Sequence, residues 1–279
     1  MHRFTYHEPS SSMQAVKMLS EFEDAKVLAG GTDLLVGMRK GALLPKHIIN
    51  IKTALELSGI NAGPDGIAIG AATTMYETEK YLHHLPEYHV LCQAIHHVAS
   101  CQIRNRATVA GNLCNASPAA DTASALLAMG ASVKVLGVNG ERIIPIDKLF
   151  VRPRQTTLAQ DELITAVLLP IMKGMNGIFL RKSRRPSVDL ATVNVAVVTD
   201  NKTVRIALGA VAPTVVRAIE AEELLNREGL NQTTAVAAAK LAQRSASPIS
   251  DLRGTKEYRL ELVQVLTERA LLALAGGEA

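Results

Sequence analysis

Tryptophan is absent from this chain of 279 residues, and aromatic side chains make up only 3% of it. Platforms for single-stranded nucleic acid need aromatics set among basic residues. The chain has neither that pattern nor a Lys/Arg block, and its formal net charge is a mild +4, so no nucleic-acid partner is expected. Three cysteines, Cys92, Cys101 and Cys114, are odd in number and form no Cys-x-x-Cys pair. That excludes a disulfide framework and points to reduced, mostly buried thiols. No uncharged apolar run reaches the length of a membrane span. Met1-His-Arg-Phe-Thr-Tyr6 lacks the apolar core of a secretory signal, so a cytoplasmic protein is expected. Gly-x-Gly-x-x-Gly is missing, which argues against a Rossmann dehydrogenase. His83-His84 and His96-His97 are adjacent pairs; on a helix neighbours point about 100° apart, so neither is a natural chelate. No metal site is expected.

What is present begins with Lys26-Val27-Leu28-Ala29-Gly30-Gly31-Thr32-Asp33, followed by an amphipathic stretch to Gly37. It reads as a strand feeding a tight loop that opens a helix. Two adjacent glycines free the backbone for positive φ and leave N–H groups uncovered, which suits an anion. Thr32 or Asp33 is expected to cap the helix. The same residues also suit an ordinary strand-to-helix turn.

A second segment, Thr108-Val109-Ala110-Gly111-Asn112 and onward through Ser117 to Asp121, is small, hydroxyl-rich and amide-rich, and precedes an apolar helical run. It reads either as a second ligand loop or as a glycine turn before a helix capped by Ser117 with Pro118 at its first position. Two such loops, far apart in sequence, suggest one extended ligand gripped from two sides, for which a dinucleotide is the natural candidate.

Helices are expected over 11–20, 34–40, 74–81, 86–100 and 121–129, and strands over 26–28, 47–51, 67–71, 133–138 and 163–169. A hairpin over 193–211 leads into helices 214–226, 233–245 and 256–275, the last packing through Tyr258, Leu262, Val265, Leu266 and Arg269. Turn clusters at Asn61–Gly66 and Pro170–Gly177 divide the chain into units 1–60, 61–172 and 173–279.

In these segments the chain resembles the FAD-binding subunit of molybdenum hydroxylases, such as xanthine dehydrogenase and aerobic carbon monoxide dehydrogenase. Ala29 to Asp33 match the family's first loop. Thr108 to Asn112 and Ala116 to Asp121 match the second, with Ala110 in place of its first glycine. Gln102–Asn105, Asp161–Thr165, Arg184-Arg185, Asp189–Ala191, Ala207–Arg217, Pro248–Gly254 and Glu257–Arg259 extend the likeness over the chain. The resemblance implies an α+β protein: a two-subdomain FAD-binding fold of the vanillyl-alcohol-oxidase type, then a C-terminal domain with a small antiparallel sheet and a helical bundle. It implies non-covalent FAD, with the diphosphate over Gly30–Asp33 and Thr108–Asn112, and Asp121 accepting from the ribose or adenine side. Val98 and Ile164 would give apolar contact, and Arg181 would stand where the family has a flavin-contacting Lys. No catalytic acid–base residue is implied. The partners implied are an iron–sulfur small subunit carrying [2Fe-2S] clusters and a molybdopterin-binding large subunit, forming a heterotrimer that passes electrons to an external acceptor such as NAD or a quinone. A stand-alone flavin oxidoreductase and a flavin-free nucleotide-binding scaffold are the alternative readings, the latter favoured by Ala110 and Arg181.

Overall fold

A computed structural model describes residues 2–186, 188–200 and 202–276. The first unit is a parallel sheet of order β1-β3-β2, formed by Thr5–His7, Ala25–Leu28 and His47–Asn50. Helix α1 (Ser12–Glu21) and the short α2 (Leu34–Arg39) connect the strands. Ser11 caps α1 by accepting from the Gln14 amide, while Ala15, Val16 and Leu19 turn one face inward.

The second unit is antiparallel. It opens with the hairpin β4 (Ile60–Gly63) and β5 (Gly66–Gly70). Asn61–Gly66, read as a boundary turn, is therefore mostly strand. Helices α3 (Met75–Leu82), α4 (His89–His96), α5 (Cys101–Arg104), α6 (Val109–Cys114) and α7 (Asp121–Met129) follow. Strands β6 (Ser132–Gly137) and β7 (Gly140–Pro145), the hairpin β8 (Phe150–Arg152) and β9 (Gln155–Thr156), and β10 (Leu163–Leu169) complete the unit. The main sheet runs β4-β5-β10-β6-β7.

Three local expectations are corrected here. The single helix over 86–100 is instead a 3-10 turn at Pro86–Tyr88, then α4, then a break before α5. Ala99 sits at φ 46° in that break. Ser100 starts a new helix by accepting from the Ile103 amide. The second loop is helical from Val109, because Thr108 caps it through a bond from the Gly111 amide. Helix α7 starts at Asp121 with Ala120 at its cap position, so Ser117 and Pro118 do not open it.

The third unit is an antiparallel sheet of β11 (Asn176–Lys182), β12 (Val193–Thr199), β13 (Val204–Gly209) and β14 (Val216–Arg217), in that order. Strand β11 was not foreseen. Helices α8 (Ile219–Glu228), α9 (Gln232–Arg244) and α10 (Lys256–Leu274) cover one face. The other face, through Phe179, Ala196, Val198 and Ala207, joins the core of the first two units. β12 is thus buried on both faces, which explains its run of small and β-branched residues, broken by the buried amide of Asn194. α7 is buried all round and packs on β12 and β13. α10 buries Arg259, Val263, Leu266, Thr267, Ala270 and Leu271. Of the face expected to pack, Leu266 is in the core and Leu262 lies against it, Val265 is half-buried, and Tyr258 and Arg269 are exposed. Of the cysteines only Cys92 is buried, and burial pushes its thiol up to about 12. Cys101 and Cys114 are exposed, against the expectation of mostly buried thiols.

Candidate functional site: a cleft between the first two units

Strand β2 ends at Leu28, and the chain turns through Gly30 and Gly31 into α2. Gly31 has φ 74°, a conformation that a side chain would strain. Gly30 matters for a different reason. A Cβ there would lie 2.1 Å from the Arg106 carbonyl oxygen and 2.7 Å from Ala107 Cα. The missing side chain lets the first loop press on the backbone that enters α6, so the two sequence-distant loops form one surface. Lys52 supports it from behind, its Nζ donating to the Ala29 carbonyl at 2.9 Å.

Neither Thr32 nor Asp33 caps α2 as expected: Asp33 occupies the cap position without a side-chain bond to the helix. Among the described residues, the amides of Gly31, Thr32, Asp33 and Leu34 donate to no protein acceptor. A row of unspent N–H groups at a cavity wall is what an anionic oxygen needs. On the second segment the Thr108 hydroxyl accepts from Gly111 and retains its own proton. Asn112 takes a 2.6 Å bond from the Thr122 hydroxyl on its carbonyl oxygen, which leaves its NH2 as the free end. Ala110 lies within α6, where φ is negative, so its methyl is accommodated.

These residues line a cavity of about 1030 Å³, at the upper end of the range for small-molecule sites, roughly 300–1,000 Å³. Of the sequence-derived set, Val27, Ala29, Gly30, Gly31, Thr32, Asp33, Val98, Thr108, Ala110, Gly111, Asn112, Ser117, Asp121 and Ile164 face it. Lys26, Leu28, Val109 and Arg181 do not. Leu28 lies under the loop, its Cδ1 2.8 Å from where a Cβ on Gly31 would be. Val109 points into the core with 1% exposure, while Lys26 is exposed on β2.

Arg181 corrects the expected flavin contact. It lies behind the cavity wall, its side chain 4% exposed, with Nη1 3.2 Å from the Asp121 carboxylate. It also donates to the carbonyls of His97 and Asp189. Asp121 reaches the cavity, but Arg181 faces one of its oxygens and the Asn194 amide donates to the other at 2.9 Å. It therefore serves as an anchor more than as a free acceptor for a sugar. Burial pushes its carboxyl up to about 6, against the opposing pull of Arg181 and Asn194.

Sequence reading missed the outer walls. Val36 and Leu43 from α2 and its exit, Ile103 from α5, and Val188 and Leu190 from the segment after β11 are exposed apolar residues on the cavity. In α2 only Met38 is buried, so its other apolar residues have no core to serve. Exposed apolar patches of this kind mark binding surfaces.

Known proteins agree with this geometry. Residues 2–172 match the FAD binding domain in molybdopterin dehydrogenase, and residues 178–274 match the CO dehydrogenase flavoprotein C-terminal domain. A xanthine dehydrogenase FAD-binding subunit of Escherichia coli O157:H7 is 32% identical, covering 98% of each chain. The nicotine 6-hydroxylase medium subunit of Paenarthrobacter nicotinovorans is 35% identical, over 96% of this chain and 95% of its own. Among solved structures, a chain of Hydrogenophaga pseudoflava carbon monoxide dehydrogenase lacking the Mo-pyranopterin moiety superposes with TM-score 0.92 at 32% identity, covering 97% of this chain and 96% of that one. These relatives are subunits of oxidoreductase complexes. With the two-loop cleft and both domain matches in place, this chain belongs to the FAD-binding medium subunits of the xanthine dehydrogenase and carbon monoxide dehydrogenase family.

Proposed function

We propose that the chain holds FAD in this cleft and acts in the cytoplasm as the electron-transfer subunit of a molybdenum hydroxylase. It would take electrons from [2Fe-2S] clusters on an iron–sulfur small subunit and pass them to an external acceptor such as NAD or a quinone. Substrate oxidation would belong to a molybdopterin-binding large subunit. The observation that carries this reading is the contact of Gly30 with the Arg106–Ala107 backbone, which sets the free amides of Gly31–Leu34 beside Thr108 and Asn112 on one cavity.

Bound flavin supplies both one- and two-electron chemistry, and the protein positions it and sets its surroundings. The chain's own residues do the holding. Amides of the first loop and the Thr108 hydroxyl would hold the diphosphate, and the Asn112 NH2 would donate beside them. Val98, Ile164 and Leu190 line the cavity and would supply apolar contact to the flavin.

Titration of the purified chain with FAD, followed by quenching of flavin fluorescence, tests the reading. Wild type should saturate and keep its yellow colour through gel filtration. Gly31→Asp should not, because it adds a strained Cβ and a like charge at the diphosphate seat. Equal binding by both chains would refute the site.

A further inference from the structure

The guanidinium of Arg181 joins three walls of the cleft that are far apart in sequence. It donates to the His97 carbonyl at 2.6 Å, at the end of α4. It donates to the Asp189 carbonyl in the segment between β11 and β12. Its Nη1 also lies 3.2 Å from Asp121 at the start of α7. The first two segments are the lip of the cavity, where Val98, Ala99, Val188 and Leu190 face inward. Ala99 and Val188 hold φ of 46° and 50°, and Val188 is β-branched, so both conformations are unfavourable on their own. Strained backbone of this kind persists only where its surroundings over-determine it. One planar cation, bonded two residues before Ala99 and one residue after Val188 and buried so that water cannot replace it, supplies that constraint. Arg181 Nε is buried without a partner, so the side chain's remaining polar contacts all serve this arrangement.

We propose that Arg181 is a positioning residue of the flavin cavity: it fixes the spacing of the two lip segments, 97–99 and 188–190, before the cofactor arrives. The proposal rests on the reading of the cleft as the FAD site. A Lys at this position has a single nitrogen and cannot span two carbonyls and a carboxylate with a fixed fork. Arginine at this place thus yields a preformed lip and lowers the ordering cost of binding.

The test uses the full chain in three forms: wild type, Arg181→Lys, and the double variant Arg181→Met with Asp121→Asn. The double variant removes both buried charges together, so it leaves no unpaired ion in the core. Far-UV circular dichroism reports folding, fluorescence titration gives FAD affinity, and hydrogen exchange on the FAD-free chain follows peptides over 97–100 and 188–191. Both variants should fold. Each should bind FAD about tenfold more weakly, because the lip must then be ordered at the cost of binding energy. Exchange should speed up at both lip peptides and stay unchanged over 30–33. A folded variant with wild-type affinity and wild-type lip exchange overturns the proposal. So does failure of both variants to fold, which would make Arg181 a residue of the general core. If wild type itself takes up no FAD, the reading of the cleft fails separately, and the exchange data still decide whether Arg181 sets the lip.

Discussion

A Cβ on Gly209 would stand 2.2 Å from Asn194 Oδ1, across the β12–β13 pairing where the two residues are directly opposed. Asn194 is fully buried, accepts from the Ser124 hydroxyl at 2.8 Å and donates to Asp121 at 2.9 Å. A missing side chain in the C-terminal sheet therefore makes room for the amide that anchors a cleft residue in the second unit. Gly209→Ala should destabilise the fold by about 1–3 kcal/mol through overpacking. It should also weaken FAD binding by displacing Asn194 from Asp121. Urea unfolding and FAD titration check the two effects, and a variant as stable as wild type would show that Asn194 has space to move.

Gly30→Ala should separate the two loops, since the new methyl meets the backbone of Arg106 and Ala107 with no flexible side chain to give way. Loss of FAD uptake with native circular dichroism is the expected result. Gly63→Ala is the control, because a Cβ there meets nothing within 4 Å. Its stability should stay within about 0.5 kcal/mol of wild type. Equal FAD affinity in the two variants would count against the loop contact.

Asp251 organises the C-terminal unit. Its Oδ1 accepts from the buried Arg259 at 2.6 Å, and Oδ2 accepts from Arg253 at 2.6 Å. Arg259 continues to the carbonyls of Thr192 and Ala210. Burial alone would raise the Asp251 carboxyl, but the bonds from Arg253 and Arg259 outweigh it and hold the group well below the usual carboxylate range. A depressed folded value means stability that is present above about pH 4 and lost as pH falls further. Asp251→Asn should cost about 3–5 kcal/mol at neutral pH by leaving Arg259 underpaired. The gap to wild type should narrow below pH 4, as urea midpoints across pH would show.

Asp121 runs the other way. Its carboxyl is raised to about 6, from an ordinary value of 3.8. The folded state binds that proton more tightly than the unfolded chain, so the contribution is complete below pH 3.8 and lost as pH rises through 6. Relative to Asp121→Asn, wild type should gain stability on acidification from pH 7 to about 4. A constant difference over that window would mean that Arg181 keeps the carboxylate fully charged.

Apolar runs rich in leucine and β-branched residues made β10 and β12 legible in sequence to the residue, and the Gly-Gly-Thr-Asp and Thr108–Asn112 segments marked the two loops that meet. What was hidden depends on distance along the chain. Gly30 reveals its role only when the Arg106 carbonyl is beside it. Arg181 sits in a strand that alternates poorly, and its acceptors are carbonyls of His97 and Asp189, which carry no side-chain signature. Nothing in the sequence marks Arg259 as an interior residue, yet it is 1% exposed because Asp251, Thr192 and Ala210 receive it. The break at Ala99 was masked by an apolar pattern that continues through it, since Ser100 caps a second helix at once.

The most direct test of the account is a titration of isotope-labelled chain with FAD, following amide ¹H–¹⁵N resonances. The amides of Gly31, Thr32, Asp33 and Leu34, which have no acceptor among the described residues, should shift together and saturate with the flavin, along with the Asn112 side-chain NH2. Those of α8 to α10 should stay in place. Saturable shifts elsewhere, with the Gly31–Leu34 amides unmoved, would contradict the assignment of this cleft to the cofactor.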